Sequence, residues 1–290
     1  MIKNNLISLF YFILCIIFGL LLSNLLLIVV LTLKGGDLQQ LLVDSSSLLT
    51  TLSSHELLIS QMCSQVFSLI LPAYIYSKLN PESTSSLNKN EFNIEIFFLS
   101  LILFLSSIPL VAFSAYLNQL IPLTSWMTNT EEQMSALIDK MLNFNSVGDL
   151  LIAIIVIAIV PAIGEEWVFR GIIQNQIIRW TKNQWLGLVI AAIFFSAIHL
   201  QFQGFLPRFL LGMILGYIYL TTGNLWYSIL LHFFNNGFQV LGVYFYREEM
   251  LKQLKNDIEM PNVYAVGFSI IAATITAYYL HKRIKINQHA

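Results

Sequence analysis

Six residues in the second half of this 290-residue chain have the types and spacing of a water-activating site: Glu165, Glu166, Arg170, His199, His232 and Asn236. Carboxylates and imidazoles take protons from water, a guanidinium holds a carboxylate in place, and a carboxamide donates to a developing oxyanion. The first group lies in Pro161-Ala162-Ile163-Gly164-Glu165-Glu166-Trp167-Val168-Phe169-Arg170-Gly171. At helical spacing Glu166 and Arg170 are i,i+4 neighbours in the order that favours an ion pair, while Glu165 points about 100° away around the axis. Arg170 would then fix Glu166 and leave Glu165 available as a general base. Pro161 and Gly164 are expected to loosen the helical ladder and leave both carboxylates near a kink or a helix start. A buried Glu–Arg pair that only locks two helices would use the same residues.

The second group is Phe195-Ser196-Ala197-Ile198-His199, and the third is His232-Phe233-Phe234-Asn235-Asn236. His232 and Asn236 share a helix face; Asn235 is expected to turn away. Taken singly, such residues serve as interhelical hydrogen-bonding groups worth about 1 kcal/mol each. Taken together, two carboxylates, an arginine, two imidazoles and a carboxamide on three successive helical elements exceed what helix association requires. A site that activates water and stabilises an oxyanion needs that assortment.

The elements that must position these groups are apolar. Hydrophobic residues make up 57% of the chain against 11% charged, with a mean hydropathy of +0.72. That composition excludes an ordinary cytosolic globule. Fifteen Lys+Arg nearly balance 16 Asp+Glu, and no basic block could neutralise a phosphate backbone, so nucleic acid is excluded as a partner. Cys15 and Cys63 both sit in apolar stretches and suggest neither a disulfide framework nor a thiolate metal site.

A helix needs about 20 apolar residues to cross a bilayer. Such windows fall at Leu6–Leu33, Leu57–Leu79, Phe92–Ile121, Val147–Ile163, Trp185–Leu200, Phe205–Thr221, Leu225–Tyr246 and Val263–Leu280. The expected fold is therefore all-α, a multi-pass transmembrane bundle of about eight spans with the lipid bilayer as its surroundings. The first window is too long for a signal peptide and lacks a small-x-small cleavage site before Lys34, so it reads as a retained anchor. Lys3, Lys78, Arg179, Lys182 and Lys282 fall in segments that share one side, which predicts both termini on the cytoplasmic face of a cell membrane. Ser45–Ser54 and Asn80–Asn93 read as polar loops. Met134, Leu137, Ile138, Met141 and Leu142 give Thr128–Phe144 the spacing of an amphipathic helix that closes the bundle or gates a substrate. Neither a short internal repeat nor an inverted repeat of the transporter kind is evident.

The order Glu-Glu-x-x-x-Arg, Phe-x-x-x-His, His-x-x-x-Asn resembles the CPBP intramembrane protease family, the CAAX prenyl protease and bacteriocin-processing group also called Abi. The resemblance covers roughly 147–240, with Glu165, Glu166, Arg170, His199, His232 and Asn236 in the motif positions. It implies a multi-helical membrane endopeptidase acting on a peptide or lipid-modified protein. In that reading Glu165, helped by His199, deprotonates water, His232 and Asn236 form an oxyanion hole, and Glu166 and Arg170 orient the rest. A zinc variant would use Glu165, His199 and His232 as ligands with water in the fourth position; a metal-independent mechanism fits the same residues. His-Glu-x-x-His is absent, since His55-Glu56 is followed by Ile59. A non-catalytic immunity or peptide-binding membrane protein is the alternative. The expected organisation is 1–146, helices without an assigned role; 147–245, the catalytic core; and 246–290, an outer loop and last span.

Overall fold

The computed structural model describes residues 2–35, 51–80, 90–254 and 258–289. Most of the two expected polar loops, 45–54 and 80–93, lies outside the described residues. All the regular elements described are helical. They are α1 (Ile2–Leu33), α2 (Ser54–Leu79), α3 (Ile94–Gln119), α4 (Ser125–Met141), α5 (Val147–Thr181), α6 (Gln184–Ala197), α7 (Phe205–Thr222), α8 (Leu225–Phe245), α9 (Arg247–Leu254) and α10 (Val263–His289).

Every apolar window of the sequence is thus helical, and the chain is an all-α multi-pass membrane bundle. Among the described residues six helices are long and apolar enough to cross a bilayer: α1, α2, α3, α5, α7 and α10. The other two expected spans are α6, only 14 residues, and α8, whose 21 residues carry His232, Asn235, Asn236 and Gln239.

Two compact units divide the chain. One gathers the described residues of 1–81, 128–168 and 233–255; the other gathers those of 82–127, 169–232 and 256–290. The first is built on α1 and α2, which run antiparallel. Phe12 meets Tyr76 with ring centroids 5.1 Å apart. Gly19 lies so close to α2 that a Cβ there would stand 2.0 Å from the Phe67 carbonyl oxygen, so only glycine permits the crossing. Farther along, Leu31 packs with Leu52 and Leu57, and Leu137 and Met141 of α4 cover them. On the same helix Ile138 packs against Leu150, Ala153, Val240 and Val243, with Leu142 just beyond it in that cluster. The amphipathic spacing predicted for 128–144 is therefore used to close this unit.

α2 and α5 start at the same end and run side by side. Ser53 and Glu56 form a capping box at the start of α2, and Ser146 and Asp149 form one at the start of α5. His55 Nε2 reaches Asp149 Oδ1 at 2.8 Å. His55-Glu56 therefore serves capping and pairing, as the missing second histidine suggested.

In the second unit α6 and α7 are antiparallel and close. A Cβ on Gly212 would lie 3.2 Å from Ala192, and one on Gly216 2.4 Å from Leu188. This Gly-x-x-x-Gly stripe lets the helices approach as small residues do between membrane helices. The connection after α6 is held by Asn118 of α3, which donates to the Phe202 carbonyl at 2.9 Å and accepts from Leu206 N at 2.6 Å. α3 and α10 pack antiparallel, joined by Ser269 to the Ser106 carbonyl and by Arg283 to Glu95 at 2.7 Å.

Candidate active site

The helix that carries the two glutamates is not a plain α-helix. α5 winds as a π-helix over Ile154–Ile159, returns to α over Val160–Glu166, and is π-helical again over Trp167–Gln174. Pro161 supplies one reason. It has no N–H for the carbonyl four residues earlier and its ring crowds that carbonyl, so the preceding turn widens. α2 repeats the device, with a π-turn at Val66–Ile70 just before Pro72. Pro161 and Gly164 thus do not mark a helix start. The helix is continuous from 147 to 181, and the glutamates occupy the α-turn between two π-turns. Beyond Trp167 the 100° step per residue used to align Glu166 with Arg170 no longer describes the backbone.

In the first unit Glu165 is 5% exposed and Glu166 fully buried. Gln65, the last residue of α2 before its π-turn, directs Nε2 at Glu165 Oε1 at 3.5 Å. Gly164 makes this proximity possible. A Cβ there would lie 3.2 Å from Ile70 Cγ1 and 3.4 Å from Leu69 Cβ, so any larger residue would push α5 off α2. One step on, the Trp167 indole N–H donates to Ser77 Oγ at 3.1 Å. Asn236 is half-buried, and its Nδ2 donates to the Ile157 carbonyl at 3.2 Å. Ile157 is the residue four before Pro161, whose carbonyl loses its usual helical donor. Asn235, expected to turn away, donates instead to Asn236 Oδ1 at 3.1 Å. Asn236 is thereby fixed at its acceptor and at one amide hydrogen, with a second hydrogen left to give.

In the second unit Arg170, His199 and His232 gather around a single ring. The Arg170 guanidinium lies over Phe195, 4.4 Å from its centroid. The rings of His199 and His232 stand edgewise to it at 5.4 and 5.8 Å, and Phe169 does so at 5.4 Å. Arg170 and His232 are 1% and 3% exposed; His199, just past the end of α6, is half-buried. His199 Nδ1 lies 2.8 Å from the Phe195 carbonyl. A carbonyl only accepts, so Nδ1 carries the hydrogen and the neutral ring keeps its lone pair on Nε2. That is the tautomer a base requires.

Arg170 also donates to the Gly212 carbonyl at 3.3 Å, and Gln174, one turn on, to the Gly216 carbonyl at 3.1 Å. Two glycines four apart on α7 therefore meet two polar side chains four apart on α5. Gln174, Gly212 and Gly216 are structural partners that the motif reading passed over, and Phe195 stood in its motif without an assigned role. A small-xxx-small stripe and an amide one turn from an arginine in an apolar helix were the signals. Gln65 had no comparable local signal. Among the described residues no three His, Cys, Asp or Glu side chains are grouped as a metal ion would need.

Residues 147–238 match the family described as type II CAAX prenyl endopeptidase Rce1-like. Over this segment the chain is similar to the CAAX protease family. The CAAX-protease segment contains all six motif residues, together with Phe195, Gln174, Gly212 and Gly216; Gln65 lies outside it. The chain is also similar to an uncharacterized 24.3 kDa protein of Escherichia coli, 33% identical over 97 residues. That match covers 32% of this chain and 45% of the relative, so less than half of the relative's length is spanned. No solved structure matches the chain.

Proposed function

We propose that the protein is an intramembrane endopeptidase that hydrolyses a peptide bond of a membrane-associated, lipid-modified or unmodified peptide by activated water. The observation that carries this reading is a pair of buried carboxylates, Glu165 and Glu166, within a 35-residue helix apolar enough to cross a bilayer. Burying such groups costs about 3 kcal/mol apiece at the bilayer centre. Retaining two, inside a CAAX-protease segment, points to chemistry.

In this mechanism Glu165 takes a proton from water, helped by the Nε2 lone pair of His199, as the water attacks the scissile carbonyl. His232 and the second amide hydrogen of Asn236 donate to the oxyanion, and Glu166 and Arg170 orient these groups. The proton taken from water is returned to the leaving amine. The zinc arrangement predicts loss of hydrolysis on chelation and recovery with Zn2+, whereas direct activation by Glu165 and His199 predicts hydrolysis that survives a chelator.

The test is cleavage of a fluorogenic peptide bearing a farnesylated Cys-aliphatic-aliphatic-X end by the full chain in proteoliposomes. Glu165→Gln is expected to lower kcat by at least about 10²-fold, the scale of a lost general base, with insertion and folding retained. A binding-only protein would keep its cellular phenotype through that change, and such a result would overturn the enzymatic reading.

A further inference from the structure

Gln65 places an amide against the carboxylate assigned above as the base. It sits at the end of α2, where the π-turn Val66–Ile70 begins, and its Nε2 faces Glu165 Oε1 at 3.5 Å. The orientation is chemically fixed. Turning the amide over would set its carbonyl oxygen against a carboxylate oxygen, two acceptors with no hydrogen between them. Its own Oε1 is buried and has no hydrogen-bond partner. A buried acceptor left unmatched costs about 1–3 kcal/mol, so an apolar side chain of similar length would serve packing better. Two further features hold the amide there. Gly164 lets α5 lie against Leu69 and Ile70, and Gly19 lets α1 press on Phe67 and Ser68 from the other side.

We infer that Gln65, in the N-terminal helices outside the CAAX-protease segment, is a positioning residue for Glu165: its amide N–H holds Oε1, aiming the other carboxylate oxygen at water. The N-terminal half of the chain is thereby part of the catalytic apparatus. This inference rests on the proposed role of Glu165, and its test separates the two.

The full-length protein is compared with Gln65→Met, which keeps length and loses the amide, and Gln65→Glu, which sets a second carboxylate against the first. In the peptidase assay both are expected to lower kcat about tenfold, the equivalent of one hydrogen bond to a charged group, with KM unchanged; the thermal unfolding midpoint of Gln65→Met is expected at or above that of the wild type, so its lost activity is not lost folding. Residual activity in Gln65→Met beside none in Glu165→Gln would separate positioning from catalysis. A second readout does not need turnover: dicyclohexylcarbodiimide labelling of Glu165, followed by mass spectrometry, is expected to run several-fold faster in Gln65→Met, with exposed Glu95 labelled at the wild-type rate. Unchanged Glu165 labelling in Gln65→Met would overturn the inference, whether or not the wild type cleaves the peptide. If the wild type cleaves and kcat is unchanged in both variants, the inference also fails while the peptidase reading stands. Absent wild-type cleavage together with faster labelling would retain the contact and remove the peptidase reading.

Discussion

Phe195 gathers Phe169, Arg170, His199 and His232, all from 169–232, whereas Glu165 meets Gln65 of the N-terminal helices. The basic cluster, Arg170, His199 and His232, is set by one aromatic ring and by the close crossing of α6 and α7. It lies wholly within the segment that matches the CAAX protease family. The carboxylate turn is set instead by Gln65, Leu69, Ile70 and Ser77 of α2, which α1 presses into place at Gly19. The difference shows that a family segment can hold all the motif residues while part of their support is supplied by chain outside it.

The largest test of this contrast is Phe195→Ala. Removing a buried ring typically costs about 3–5 kcal/mol, and here it also removes the surface on which the guanidinium rests. Thermal unfolding in detergent should show a large fall in midpoint, and peptide cleavage should be lost with it. An unchanged midpoint would break the idea that one ring organises the basic cluster.

A smaller effect is expected on the other side from Gly164→Val. The added methyls have to displace Ile70 and Leu69, an overpacking cost of about 1–3 kcal/mol. The same measurement checks it. Full activity in this variant would mean that the carboxylate turn does not need its close seat on α2. The smallest effect belongs to Trp167→Phe, which keeps an aromatic ring but loses the pyrrole part of the indole with its hydrogen bond to Ser77, the bond itself being worth about 0.5–1.5 kcal/mol. If Ser77→Ala gives the same shift and the double variant adds nothing further, the contact between α5 and α2 is confirmed at its far end.

Much of the fold was legible beforehand because membrane helices must satisfy their backbone internally, and hydropathy alone locates them. All eight windows are helical, and Glu165, Glu166, Arg170 and His232 are buried as their cost in an apolar helix implied. Helical spacing also placed His232 and Asn236 on one helix, but it misjudged Asn235, whose amide turns back to its neighbour. The i,i+4 alignment of Glu166 with Arg170 assumed a regular ladder. The π-turn Trp167–Gln174 follows from no proline, so periodicity could not foresee it.

What the sequence determined by itself was a set of candidate polar groups and the helices that carry them, because residue type and apolar length are local properties. Only the tertiary structure decided that Asn236 spends one hydrogen on the carbonyl facing Pro161, that His199 keeps its lone pair on Nε2, that Phe195 is the common surface of the basic groups, and that Gln65 meets Glu165. Each of these depends on which residues fold back on one another and at what distance. In a chain where nearly every helix is apolar, hydrophobic pattern does not distinguish one neighbour from another; glycine crossings and buried hydrogen bonds do.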